Sequence, residues 1–159
     1  MLVSERTLKW AMRFYPPLLF QRIWVERFQR DFRGVDVKIA RSILNLNYNR
    51  SIFGGTIYAA ADPFYAVLFH QILQKRGYKV QVWQKSAEID YVKPGMSSLY
   101  FSARLDDAEI SEACSSLDSD GKFVKSYTIE IKNKAGELCA TVESTVYIRK
   151  LYSIKTESR

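Results

Sequence analysis

The sequence predicts an α+β fold in which a curved antiparallel sheet wraps around one long buried helix. Three observations predict it. Residues 56–75 are almost continuously apolar and end in helix-stop chemistry, with Lys75 and Arg76 in the last turn and Gly77 beyond. Later segments alternate instead: Leu99, Phe101, Ala103 and Leu105 are interleaved with Ser98, Ser102 and Arg104. Turn signals at Pro94-Gly95, Ser119-Asp120-Gly121 and Lys134-Ala135-Gly136 space these segments. A helix as apolar as 56–73 needs cover on most sides, and a curved sheet supplies it.

The elements follow in order. Residues 5–15 read as a short amphipathic helix, with Leu8, Trp10, Met12 and Tyr15 as its apolar surface. Pro16 and Pro17 end it, and Pro17 opens a second helix running to about Arg33. Phe20, Trp24 and Phe28 recur every four residues along that second helix, while Arg22, Arg27, Arg30 and Arg33 face elsewhere. Val35, Val37 and Ile39 alternate as a strand, which Ile43 to Leu46 continues. Residues 79–92 read as a strand whose apolar phase changes between Val80/Val82 and Ala87/Ile89/Tyr91. That change predicts a bulge near Gln84–Ser86. A short helix over 107–117 takes Asp106 or Asp107 as its cap. Two final strands, about 122–132 and 138–150, join through a hairpin at Lys134-Ala135-Gly136. The organisation is a helical extension over 1–34, one domain over 35–152 and a tail over 153–159. No internal repeat or low-complexity tract appears.

Composition narrows the function. With 159 residues, 47% hydrophobic and 14% aromatic, the chain can bury one sizeable core. The net charge of +7 fits an anionic partner such as a membrane surface or a phosphate-bearing ligand. Nucleic acid is disfavoured, because no dense Lys/Arg cluster is interleaved with aromatics. No apolar run reaches membrane-span length, and residues 1–14 carry charges with no small-residue cleavage site after them. Cys114 and Cys139 form no ligand-spaced pair, so a cytoplasmic protein with free thiols is expected. One histidine and two scattered cysteines make no metal site. No Gly-x-Ser-x-Gly elbow, phosphate-cradling loop or dinucleotide fingerprint is present. The N-terminal helices read either as a membrane-surface attachment or as helices docked on the body of the protein or a partner subunit. The docked reading is preferred, since amphipathic helices in globular domains are common.

The segment from Asn47 to Asp62 carries the chemistry. Asp62 is a lone carboxylate among Ala59, Ala60, Ala61, Phe64 and Tyr65, in an apolar, small-residue segment that follows Gly54-Gly55. It either caps a helix that starts at Pro63 or does chemistry. Gly54-Gly55 is either a plain turn or a close-approach site. Asn47 and Asn49 are compatible with Asx turns. His70 lies two turns past Asp62 and reads as a buried, satisfied side chain. Lys85 sits at the expected bulge and reads as a surface lysine or a contact to an anionic ligand.

These residues resemble the hotdog-fold acyl-CoA thioesterase superfamily. The element order matches over roughly residues 35–150. The specific likeness is to a pattern of Asn, five residues, His-Gly-Gly, six residues, then Asp or Glu, found in the phenylacetyl-CoA-thioesterase-like branch. Here it reads Asn47, Phe53-Gly54-Gly55 and Asp62. Val82-Trp83-Gln84-Lys85, Lys93-Pro94-Gly95 and the Phe-Gly-Gly form are similar to a less characterised branch. Phe53 stands where the common His would be, and Arg50 replaces a frequent Gly. A mechanism that polarises the thioester with that His is therefore set aside, as are the hydratases that need it.

The resemblance implies a thioesterase hydrolysing an acyl-CoA, with coenzyme A entering only as part of the substrate and no other cofactor. Asp62 serves as base or nucleophile, Asn47 as an amide that holds water or thioester, and Gly55 as an oxyanion donor with Thr56 beside it. Phe53, Gly54, Thr56, Tyr58 and Lys85 are the expected substrate contacts. The resemblance also places Asn47 and Asp62 of one site on different subunits of a homodimer or dimer of dimers. The apolar helix and the aromatic N-terminal segment favour a greasy acyl group. A non-catalytic module that holds an acyl chain or lipid is the rival reading.

Overall fold

The computed structural model describes residues 3–151, so the tail expected over 153–159 lies outside the described residues. Six strands form one antiparallel sheet: β1 (Ile23–Phe28), β2 (Gly34–Ile39), β3 (Val80–Tyr91), β4 (Leu99–Arg104), β5 (Lys122–Asn133) and β6 (Leu138–Lys150). Their spatial order is β1-β2-β4-β5-β6-β3. Helices α1 (Glu5–Phe14) and α2 (Pro16–Phe20) precede the sheet. Helices α3 (Gly54–Ala61) and α4 (Pro63–Lys75) cross its inner face, and α5 (Asp107–Ser119) packs on β5. The curved antiparallel sheet around one apolar helix is as expected.

The core lies between α3–α4 and the sheet. Phe64, Leu68, Phe69 and Leu73 are fully buried against Val35, Val37, Leu99, Phe101, Ile129, Val142 and Ile148. Each such side chain contributes about 1.5–3 kcal/mol of transfer free energy. Phe64 meets Phe101 edge-on at 5.7 Å, and Tyr65 stacks on Tyr127 at 4.1 Å. The Asp106–Glu109 capping box starts α5, and Gly136 at φ +85° turns the β5–β6 hairpin.

Two N-terminal expectations are overturned. The second helix stops at Phe20 rather than near Arg33. Arg22, at φ +60°, turns the chain into β1, which pairs with β2 from Ile23↔Ile39 to Phe28↔Val35. A register shift between Val25 and Arg27 explains the misreading. Ile23, Val25 and Phe28 are the buried residues, and the shift breaks their alternation into an apparently helical spacing. Spacing by four, as in Phe20, Trp24 and Phe28, fits both periods. Ile43 to Leu46 also fails to continue a strand. Ser42 caps a 3-10 turn over Ile43–Asn45 that leaves Ile43 and Leu44 exposed.

The β3 expectation holds. The register shifts between Gln84 and Ser86 and moves the inward set from Val80 and Val82 to Ala87 and Ile89. Tyr91 shares that second phase. Among the described residues, no helix is long and apolar enough to cross a membrane.

Candidate functional site

The site begins with a buried asparagine. The Asn45 amide donates to the Gln21 and Ala40 carbonyls at 2.8 and 3.0 Å and accepts from the Ser42 N–H at 3.0 Å. It thereby ties the approach to β1 to the exit of β2. The Asn45 backbone carbonyl accepts the Phe53 N–H at 2.8 Å, fixing the residue that precedes α3.

Between these two residues the chain forms a closed loop. Leu46 bridges to Ile52, and Asn47 N–H donates to the Ser51 carbonyl at 2.8 Å. The Asn47 side chain accepts from the N–H groups of Asn49 and Ser51 and donates to Ser51 Oγ at 2.8 Å. The Asx-turn alternative is therefore realised. Only the second N–H of the Asn47 amide remains for anything else.

Helix α3 then starts with two orphan donors. Thr56 and Ile57 N–H both donate to the Phe53 carbonyl, at 2.9 and 3.3 Å. Among the described residues the N–H groups of Gly54 and Gly55 have no partner, as the first turn of a helix requires. The expectation that the Thr56 N–H helps to bind an oxyanion is thus corrected: that N–H is occupied by the Phe53 carbonyl. Both glycines are crowded by aromatic rings. A methyl group on Gly55 would fall 3.1 Å from Cδ1 and Cζ of Phe53 and closer still to Cε1. One on Gly54 would fall 2.9 Å from the Tyr91 hydroxyl, which donates to the Gly54 carbonyl at 2.9 Å.

A cleft of about 500 Å³ opens here. Asn47, Phe53, Gly54 and Gly55 line one side, and Tyr91, Lys93, Pro94 and Gly95 the other. The Ile52 N–H bonds the Gly95 carbonyl at 2.9 Å and holds the two sides together. A second cleft of about 500 Å³ lies on the other side of Phe53, against Leu44, Leu46, Thr56 and Ala59.

Asp62 sits elsewhere. Seven residues beyond Gly55, it lies on the same side of the helix but about 10 Å along it. Its φ and ψ of −59° and −55° keep the chain helical, while Pro63 divides the segment into α3 and α4. Asp62 is the residue before α4, as the capping alternative requires, but its carboxylate makes no side-chain capping bond. Asp62 is exposed, yet desolvation by its apolar surroundings holds its carboxyl above the usual aspartate range. An uncovered stripe runs down the helix through Gly55, Tyr58, Ala59, Asp62, Ala66 and His70.

His70 departs from expectation. It is half-buried, has no hydrogen-bond partner among the described residues, and desolvation holds its pKa below the ordinary value. Tyr58 and Lys85 are exposed and line neither cleft. Among the described residues no cluster of His, Cys, Asp and Glu could hold a metal ion. Sequence reasoning missed Asn45 and Tyr91. For Tyr91 the signal was the phase change at the bulge, which re-aims the end of β3 toward Gly54. Burial raises the Tyr91 pKa, and nearby Tyr58 raises it further.

The family described as "Domain of unknown function (DUF4442)" matches residues 4–148. No curated protein matches. Solved structures do. A Pseudomonas aeruginosa protein of unknown function, PA5026, named a probable thioesterase, superposes with a TM-score of 0.85 at 16% identity, covering 95% of this chain and 99% of its own. The Haemophilus influenzae thioesterase HI1161 gives 0.71 at 12% identity, covering 99% and 97%. The Escherichia coli PaaI protein from the phenylacetic acid degradation operon gives 0.62 at 16% identity, covering 94% and 97%. At these identities the likeness establishes the fold, which is the hotdog arrangement.

Proposed function

The chain belongs to the DUF4442 family, and from that premise we propose that it is a thioester hydrolase acting on an acyl-CoA. The observation that carries the reading is the pair of N–H groups on Gly54 and Gly55, unpartnered among the described residues, at one side of a cleft. Donors fixed at a helix start are suited to the charge that develops on a thioester oxygen. The superposed thioesterases support the same class.

The reaction proceeds by water attack. The thioester carbonyl oxygen lies against the Gly54 and Gly55 N–H groups. A carboxylate takes a proton from water as the oxygen adds to the carbonyl carbon. The C–S bond then breaks, and the leaving sulfur takes that proton as the free thiol, leaving the carboxylic acid product. Asp62 is the carboxylate. About 10 Å is too far for one water to span, so the base at each site is Asp62 of the partner subunit. The outer edge of β3 and the uncovered stripe on α3–α4 suit a homodimer that brings the two halves together. Direct attack by Asp62 on the carbonyl is the alternative within the same geometry.

One observation favours the rival, a module that only holds an acyl chain or lipid. The Phe53 ring lies over Gly55, where it shields the donors and offers no polar group. The two readings separate on free-thiol release from short, medium and long acyl-CoAs, comparing wild type with Asp62→Asn. Turnover that collapses in the folded variant supports the hydrolase. No turnover by wild type on any chain length supports the binding module.

A further inference from the structure

The N-terminal helices keep one face unused. Leu8 and Met12 of α1 pack on the core, but Trp10, Phe14, Tyr15 and Phe20 point outward, with Phe14 and Phe20 each 68% exposed. Trp10 and Phe14, one turn apart, stack with their ring centroids 6.1 Å apart.

Charge is concentrated in the same region. Residues 1–50 contain ten Lys and Arg against four Asp and Glu, and so carry six of the seven net positive charges. Three of those four acids are already engaged: Asp36 by Arg27 and Arg104, and Glu5 and Asp31 by Lys75, while Glu26 on β1 is exposed. Arg6, Lys9 and Arg13 have no carboxylate partner among the described residues. Arg13 instead donates to the Val25 carbonyl at 2.9 Å and lies over the Trp10 ring at 5.1 Å.

We propose that the exposed aromatic face of α1–α2, with Arg6, Lys9 and Arg13, docks the protein on an anionic lipid bilayer. Aromatic rings beside unpaired cations match the interface of a membrane, where rings enter the headgroup region and cations meet phosphates. A second copy of the chain is the weaker occupant. Helix α1 packs on β1, whereas the other open edge is β3, with four strands between them. A partner added at β3 therefore leaves α1–α2 uncovered. The docking does not depend on the hydrolase reading.

The test is co-sedimentation of the full chain with vesicles of phosphatidylcholine alone or mixed with phosphatidylglycerol. Wild type should pellet with the mixed vesicles, not with the neutral ones, and should be released by salt. Two paired variants, Phe14→Ser with Phe20→Ser and Arg6→Glu with Lys9→Glu, should each bind about tenfold more weakly or worse. All these positions except half-buried Lys9 are exposed, so circular dichroism should be unchanged. Thiol release from a water-soluble short-chain acyl-CoA should also be unchanged, which keeps this idea separable from the catalytic one. Wild type left in the supernatant at low salt overturns the proposal, as does vesicle binding by both variants at the wild-type level. A fall in assembly mass for Phe14→Ser with Phe20→Ser also overturns it, since the face would then join copies of the chain.

Discussion

Replacing Gly55 with alanine should separate folding from function. Gly55 sits in the first turn of α3 without a positive φ, so alanine suits the backbone there. The exchange gains about 0.5–1 kcal/mol in helix preference. Against this, the new methyl displaces the Phe53 ring, whose Cδ1 and Cζ lie 3.1 Å from its position. That ring is 56% exposed and can swing into solvent, at a cost of about 0.5–1.5 kcal/mol if it leaves its rotamer. The two effects cancel to within about 1 kcal/mol, which moves Tm by no more than about 2–4 °C. Activity should respond very differently. The methyl occupies the approach to the Gly54 and Gly55 N–H groups, and losing one such donor typically costs about 10²–10³ in kcat. The assay is thiol release from an acyl-CoA, run beside a thermal melt. A folded Gly55→Ala protein that turns over within about threefold of wild type would falsify the donor assignment.

Other outcomes follow from the same geometry. Gly54→Ala should destabilise instead, by about 0.5–1.5 kcal/mol in urea titration, because its methyl displaces Tyr91 and breaks the bond to the Gly54 carbonyl. The Asp62 carboxyl is raised by desolvation, so it binds its proton more tightly folded than unfolded. The stability this gives at acid pH is lost as pH rises through the folded pKa, so Asp62→Asn should be no less stable than wild type at neutral pH. Wild-type kcat/KM should rise with pH through that raised pKa, and a flat profile would count against Asp62 as the base. At Asp36 desolvation pushes the pKa up, but hydrogen bonds from Arg104, Ser102 and Arg27 outweigh it and hold the carboxyl down at about 2. That stability is present above the ordinary value of 3.8 and is lost as pH falls through about 2. Asp36→Asn should therefore cost about 1–2 kcal/mol at neutral pH and progressively less toward pH 2. Equal urea midpoints at pH 7 would remove this role. Asn45→Ala strands the Gln21 and Ala40 carbonyls and the Ser42 N–H in the interior, and should lower stability by about 2–4 kcal/mol. An unchanged midpoint would contradict the role of Asn45 in fixing Phe53.

Much of this molecule was legible in the chain itself. Local chemistry determined the apolar central helix with its stop at Gly77, the β5–β6 hairpin, the Asp106 cap and the phase change in β3. Each rests on interactions within a few residues, which sequence patterns record directly. Gly54-Gly55 and Asp62 were legible as candidates for the same reason, since each is chemically unusual in its own neighbourhood. The tertiary structure decided the rest. Residues 23–28 became a strand because β2 offered a ladder, and a register shift hid the alternation that would have shown it. Asn45 gained its importance from carbonyls 24 and 5 residues away, and Tyr91 met Gly54 across 37 positions. No local pattern encodes such pairings. The separation of Asp62 from Gly55 along the helix axis could be counted from sequence. That the stripe between them is left uncovered by the protein's own sheet could not, because it depends on which face the whole sheet chooses to bury.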